Sequence, residues 1–318
     1  MTLTLVPLPV DLPASLGLAE RALLARLAPG EKLEDFLPQT IAGIRTGRVN
    51  GGLFRTDGAT QGIVTWEPSG PLGVAIRLLY LSSPTAGLEG YRSALDATER
   101  AAGPIAFAVG PLDGLTEQEE WTVMRGRGFA PFGRSEMTFP PSARIPWAAL
   151  PTGVGVRSVE PSDEPLLARL HEKAYQNHLD RFIALEDLDP VRDADRQLHD
   201  YFAGRYGDLL SPGSSVATRD GRVVAAAIAT RREAHVLIID VMSEPAEQGA
   251  GLGRAALTEA VRALRERGET SIILNVTDGN DRAVRLYSHL GFVRTIGPTR
   301  EWYDARRMQV EIPAPPSR

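Results

Sequence analysis

The residues best placed to do chemistry lie between Asp240 and Arg254, reading Asp-Val-Met-Ser-Glu-Pro-Ala-Glu-Gln-Gly-Ala-Gly-Leu-Gly-Arg. Val236 to Val241 is an apolar strand, Pro245 turns the chain, and Gly249, Gly251 and Gly253 alternate into a helix. Leu257, Val261 and Leu264 give that helix its period, and Gly268 stands at its C-terminal cap. Strand, glycine loop and helix N-terminus together make a phosphate cradle. First-turn N–H groups have no intrahelical partner, and the helix dipole adds roughly half a positive charge there. Glycine lets phosphate oxygens approach those amides. The stretch therefore predicts a site for a phosphorylated ligand. Asp240 is the one charge in Val236-Leu-Ile-Ile-Asp240-Val, and strict alternation puts it on the face of Val236 and Ile238. Such a carboxyl has a raised pKa and serves as a base, or else it caps or salt-bridges. Glu244 is the second candidate base.

Two cradle types are excluded. Arg254 and Ala255 follow Gly253 where a P-loop needs Lys-Ser/Thr, and Arg254 occupies the place of the last glycine of a dinucleotide fingerprint. What fits is Gln/Arg-x-x-Gly-x-Gly/Ala, met by Gln248, Gly251 and Gly253. A second signature follows in register: Leu274-Asn275-Val276, then Asn280-x-x-Ala283-x-x-Leu286-Tyr287-x-x-x-Gly291-Phe292. With both in order, the chain resembles the GNAT family of acyl-CoA-dependent N-acyltransferases. The resemblance implies a loop of Gln248, Gly249, Ala250, Gly251, Leu252, Gly253 and Arg254 around the CoA pyrophosphate. It implies backbone contacts from Val241, Met242 and Ser243 to the thioester and pantetheine arm, and further contacts from Asn280 and Ala283. Tyr287 matches the family tyrosine at the thioester sulfur and becomes the candidate acid. Ala283, Leu286, Tyr287 and Leu290 also form one apolar stripe, so Tyr287 reads equally as core. Asn280 reads equally as a helix N-cap. Ser243 departs from the family pattern, which has Val two residues before the proline.

The chemistry sets the requirements. Acyl transfer from a thioester to an amine needs a free lone pair, a stabilised oxyanion and a protonated leaving thiolate. An alkyl amine of pKa ~10 is only about 0.1% neutral at pH 7, so a base is useful. The acidic stretch Asp180, Glu186, Asp187 and Asp189 would favour a cationic acceptor, such as a polyamine, amino sugar or peptide amine; alternatively it is a solvated loop. His171, His178, His199, His235 and His289 show no His-Glu-x-x-His or ligand triad, and no metal is expected.

The positioning elements come from the whole chain. Its 318 residues are 43% apolar and 24% charged, enough for two ordinary domains. The absence of cysteine excludes disulfides and an acyl-cysteine intermediate. With no apolar run near ~20 residues and no leader pattern, the expectation is a cytoplasmic protein without a membrane partner. A net charge of −5 and scattered arginines argue against nucleic acid.

The first half predicts helices Leu16–Leu27 and Leu33–Thr46, strands Gly52–Arg55, Gly62–Trp66 and Val74–Leu81, a helix Leu88–Ala101, a strand Ile105–Val109, a helix Glu117–Arg127 and a strand to Phe139. The second half predicts a strand Gly155–Val159, helices Ser162–Tyr175 and Val191–Tyr206, and strands Val216–Arg219, Arg222–Thr230, His235–Met242 and Ser271–Val276. A helix Asp281–Leu290 and strands from Phe292 and Trp302 close it. The same element order twice reads as an internal duplication, and Leu81 to Gly90 has lost the glycine pattern. The expected architecture is α/β (α+β): two tandem GNAT-like domains, each a mixed, mostly antiparallel sheet flanked by helices. Expected boundaries are a degenerate copy over 1–140, a proline-rich linker over 141–153 and a catalytic copy over 154–312. The resemblance implies direct transfer from acetyl-CoA to a primary amine through a ternary complex, by a monomeric pseudo-dimer or a homodimer. An acyl-CoA-binding or interaction module without turnover is the other reading. Pro-Ala-x-Gln-Gly-x-Gly-Leu-Gly with a duplication also resembles the mycothiol synthases.

Overall fold

The computed structural model describes residues 3–8, 17–21, 50–82, 87–110, 112, 114–146, 150–176, 178–182, 185, 187–232 and 235–308. The two helices expected before residue 50 lie outside the described residues except for a helical turn over 17–21, as does Glu186. The chain forms two compact units, one of residues 1–133 with 299–318 and the other of residues 134–298.

The first unit is a meander of β1 (Thr4–Pro7), β2 (Asn50–Thr56), β3 (Ala59–Pro68) and β4 (Val74–Leu81), all antiparallel. Asp57 and Gly58 both adopt positive φ, which the tight β2–β3 hairpin requires. Helix α1 (Gly87–Ala102) then crosses over to β5 (Ile105–Val109), which runs parallel to β4. Helix α2 (Glu117–Gly126) begins with a capping box between Thr116 and Glu119. Phe54, Leu79, Tyr91, Leu95 and Ile105 are buried between sheet and helices. The last strand position is taken by Glu301–Tyr303, paired with Phe107–Val109. Trp302 anchors it, packing edge-on to Trp121 and donating its indole N–H to Glu120 Oε1 at 2.6 Å.

The second unit repeats the scheme. β6 (Phe129–Phe139) enters it at Arg134, and β7 (Val154–Ser158) leads into α3 (Glu164–Tyr175) and α4 (Pro190–Phe202). After the short β8 (Asp208–Leu209) come β9 (Ser215–Arg219), β10 (Arg222–Arg232) and β11 (His235–Ser243). Helix α5 (Leu252–Glu266) crosses to β12 (Ile272–Thr277), and α6 (Asp281–Leu290) leads to β13 (Val293–Asp304). The strand order is β7-β9-β10-β11-β12 and then residues 134–139 of β6. All neighbours are antiparallel except β11 and β12. Helices α5 and α6 cover one face through Leu257, Val261, Leu264 and Leu290, and α3 and α4 cover the other through Leu167, Leu170 and Leu198.

Several expectations are revised. The compact units divide after Gly133 and after Pro298, so the expected linker over 141–153 lies inside the second unit. The reason is that β6 and β13 each contribute to two units along one strand. Helix α4 stops at Phe202, because Ala203 closes it onto His199 O and Gly204 takes positive φ. The two strands expected from Phe292 and Trp302 are the single β13.

Candidate active site

The pairing of β11 with β12 ends at Ile238 opposite Leu274. Beyond it β11 continues to Ser243 against β10 alone, so a parallel pair opens into a wedge. A β-bulge sits at that point: Ile228 faces Asp240 while Ala229 faces Ile238, leaving Ile239 as the extra residue. The bulge breaks the alternation. Val236 and Ile238 pack on the α5 face, Ile239 turns to the α3–α4 face, and Asp240 follows it there. The face predicted for Asp240 is therefore corrected to the opposite one.

Asp240 is 4% exposed. Tyr175 donates its hydroxyl to Oδ1 at 2.6 Å, and His171 Nε2 lies 3.5 Å from Oδ2. His171 and Tyr175 stand one turn apart on α3 with their rings 4.6 Å apart. Oδ2 has no hydrogen-bond partner among the described residues. Burial pushes the Asp240 carboxyl above its usual range, against the His171 imidazole and the Tyr175 hydroxyl; the neighbouring Asp180 carboxylate pushes the same way as burial. Tyr287 is buried at the wedge on α6, 6.1 Å from the Phe292 ring. Burial raises its phenol well above the ordinary value, and the carboxylates of Asp240 and Asp180 raise it further. The phenol thus stays protonated at neutral pH and can donate a proton. Tyr175 is raised for the same reasons, burial first and then Asp240.

Asp180 reaches this cluster from the segment between α3 and α4, where the buried Thr277 at the end of β12 donates its hydroxyl to Oδ1. Asp187 and Asp189 are engaged elsewhere. Arg192 beside Asp187 holds that carboxyl down at about 2, and Asp189 caps α4 through the N–H groups of Val191 and Arg192. Glu244 forms an ion pair with Lys173 at 3.2 Å, and its N–H donates to Val224 O. Asn280 Oδ1 accepts from Ala283 N–H at 3.1 Å, so this oxygen is the N-cap of α6. Ala283 is half-buried against the core.

The loop after Pro245 has the shape its glycines predict. Gly251 is the N-cap of α5 with φ 79°, and no side chain caps the helix. The first helical bond is Ala255 N–H to Gly251 O at 2.9 Å, which leaves the amides of Leu252, Gly253 and Arg254 facing outward. A side chain at Gly249 would meet nothing within 4 Å, and one at Gly251 only atoms at 3.9 Å. A Cβ on Gly253 would lie 2.8 Å from Ser243 Oγ, so this glycine lets α5 sit against β11. The α5 first turn has no acidic residue, Arg254 is exposed on it, and Arg282 of α6 bonds to the Gln248 side chain. Open space, outward amides and nearby arginines fit a pyrophosphate. Val241, Met242 and Ser243 run along the wedge between this cradle and the Asp240 cluster.

His171, Tyr175 and Thr277 were not singled out as site residues from the sequence, and Asp180 was read there only as one of four acidic residues at the acceptor. The i,i+4 spacing of His171 and Tyr175 was the available signal, and its meaning depends on the face to which the bulge turns Asp240.

Residues 172–292 match the acetyltransferase (GNAT) family. The chain is 29% identical to a mycothiol acetyltransferase of Thermomonospora curvata over 80% of this chain and 83% of that one. A GCN5-related N-acetyltransferase from Sphaerobacter thermophilus superposes with TM-score 0.64 at 16% identity, covering 94% of this chain and 95% of that one. A tandem GNAT protein from the clavulanic acid biosynthesis pathway gives TM-score 0.54 at 16% identity, covering 94% and 98%.

Proposed function

We propose that the second unit, which holds the residues 172–292 that match the acetyltransferase (GNAT) family in a chain whose fold is similar to that of a tandem GNAT protein, moves an acetyl group from acetyl-CoA directly to a primary amine in a ternary complex. The observation that carries this reading is the joint placement of the cradle, the wedge and the Asp240–Tyr287 pair on one unit. Acetyl-CoA, when bound, supplies an activated acyl carbon and a thiolate leaving group. The outward amides of Leu252, Gly253 and Arg254 hold its pyrophosphate. Backbone groups of Val241 to Ser243, released from β12 by the splay, align the pantetheine arm and receive the developing oxyanion. Asp240 takes a proton from the acceptor nitrogen, so that its lone pair is free to bond to the acyl carbon. Tyr287 returns a proton to sulfur as the carbon–sulfur bond breaks. With Glu244 paired to Lys173, Asp240 is the preferred base.

The first unit is proposed to bind no acyl-CoA. Its crossover helix α1 starts with Glu89 in the first turn, where a carboxylate opposes a phosphate. Calorimetric titration of the chain with acetyl-CoA tests both statements: one site per chain, abolished by Gly251→Glu, is expected. Two sites would sink the degenerate first copy, and absence of binding would sink the cradle. The similarity to a mycothiol acetyltransferase favours a narrower reading, in which the acceptor is the one used by that enzyme; turnover with that acceptor against other amines decides it.

A further inference from the structure

Among the described residues, arginine answers several carboxylates. Arg157 binds Asp163 at 2.6 and 2.7 Å, Arg192 binds Asp187 at 3.0 Å, Arg205 binds Asp200 at 3.2 Å and Arg306 binds Asp304 at 3.1 Å. Asp240 and Asp180 are bound differently. Among the described residues neither meets an arginine or lysine; their nearest ionisable nitrogens are His171 Nε2 at 3.5 Å and His178 Nδ1 at 3.4 Å. The His178 contact is no ion pair of consequence, because Nδ1 already accepts the Asp180 N–H at 3.1 Å. The two carboxylates share a neighbourhood: His178, beside Asp180, packs edge-on to the Tyr175 ring at 6.2 Å, and Tyr175 donates to Asp240 at 2.6 Å. Asp240 Oδ2 is buried with no hydrogen-bond partner among the described residues, an arrangement that costs stability unless something arrives to satisfy it. Asp180 is held in place by Thr277, which occupies Oδ1 and leaves Oδ2 for another donor.

We propose that Asp180 is a specificity-determining residue: with Asp240 it forms a two-carboxylate receptor for an alkylammonium, so the acceptor enters the site as a cation. This rests on the reading of the wedge as the acetyl-transfer site. An ammonium has three N–H donors, and Asp240 Oδ2 and Asp180 Oδ2 are two acceptors of matching charge. One proton then passes from the ammonium to Asp240, leaving a neutral amine with a free lone pair. The second proton, which the nitrogen loses on becoming an amide, replaces on Tyr287 the one given to sulfur. Asp240 releases the first to solvent, so two protons leave the nitrogen and each has an acceptor. Asp180 keeps its charge throughout. Uncharged arylamines gain nothing from such a receptor. Thr277 is a positioning residue, acting only through Asp180.

The test is acetyl transfer by the full chain to 2-phenylethylamine, cationic at neutral pH, and to aniline, which is neutral there. In Asp180→Asn the ratio of kcat/KM for phenylethylamine over aniline is expected to fall about 10- to 100-fold, mostly through KM, as for one lost charge-assisted hydrogen bond. Thr277→Val is expected to move the ratio the same way, and Thr277→Ser to restore it. An unchanged ratio in Asp180→Asn, or equal losses on both amines, would overturn the proposal. Calorimetric binding of phenylethylammonium to the CoA-saturated chain gives a second readout: the same loss of affinity in Asp180→Asn supports the receptor, and equal affinity refutes it. Acetyl-CoA titration fails or succeeds separately, so the acetyl-transfer reading and the receptor stand or fall on different measurements.

Discussion

At the scale of single residues, the site turns on a carboxylate kept out of water. Asp240 faces His171 and Tyr175 from α3, interacts with Tyr201 of α4 and Tyr287 of α6, and has Asp180 beside it. Its folded pKa is raised, so the folded state holds the proton where the unfolded chain has released it. Stability from this group is therefore complete below the ordinary aspartate range and is lost as pH rises through the raised folded value. Asp240→Asn removes that loss and still offers Tyr175 an oxygen. We expect the variant to match wild type in thermal stability under acid conditions and to exceed it near neutrality; equal pH profiles would show that the carboxylate carries no burial penalty. Turnover of the same variant should fall about 10²–10⁴-fold, the usual contribution of a general base. Tyr287→Phe is expected to lower kcat by about 10²-fold with KM for acetyl-CoA unchanged, and a changed KM alone would make Tyr287 a packing residue. Both residues were legible in the sequence, Asp240 as the lone charge in an apolar strand and Tyr287 through its motif. Their partners on α3 were not, because alternation along β11 pointed Asp240 at the other face.

At the scale of elements, strand, turn and helix were readable because glycine spacing reports a backbone requirement directly. The bulge at Ile239 was not, since an extra residue in an apolar run leaves no mark in composition. The contact between α5 and β11 offers a quantitative check on the cradle. Alanine is a better helix former than glycine by about 1 kcal/mol, so Gly253→Ala would ordinarily stabilise α5. Its Cβ would instead meet Ser243 Oγ at 2.8 Å, and the helix or the serine must move. We expect Gly253→Ala to give no gain in denaturant midpoint in the wild-type background and a gain in Ser243→Ala. A double-mutant cycle should return a coupling of about 0.5–3 kcal/mol. Additive effects would mean that Ser243 does not set the distance between helix and strand. The serine that departs from the family's valine would then have no packing consequence for the cradle.

At the scale of the whole molecule, the duplication was legible as a repeated order of elements, but the composition of each unit was not. Strand order along the chain predicts that β13 completes the second copy and β6 the first. The second unit is instead completed by Arg134–Phe139, paired residue for residue with Ile272–Thr277, and the first by Glu301–Tyr303 against Phe107–Val109. Apolar alternation identifies both segments as strands and cannot say which edge each one covers, since any exposed edge offers the same ladder of N–H and C=O groups. The consequence concerns where the protein can be cut. A fragment of residues 154–312, drawn at the proline-rich segment, lacks Arg134–Phe139 and leaves β12 as a bare edge, with Phe139 missing from its contact with Phe292. It also lacks the Phe139 and Pro140 carbonyls to which Arg265 of α5 donates. A fragment of residues 134–298 keeps all of these. We expect the longer N-terminal boundary to give a monomeric fragment that unfolds cooperatively and binds acetyl-CoA at one site, and the 154–312 fragment to aggregate or melt without a transition. Equal folding of the two would mean that α5 and α6 hold β12 without its edge strand, and the exchanged segment would lose its structural role.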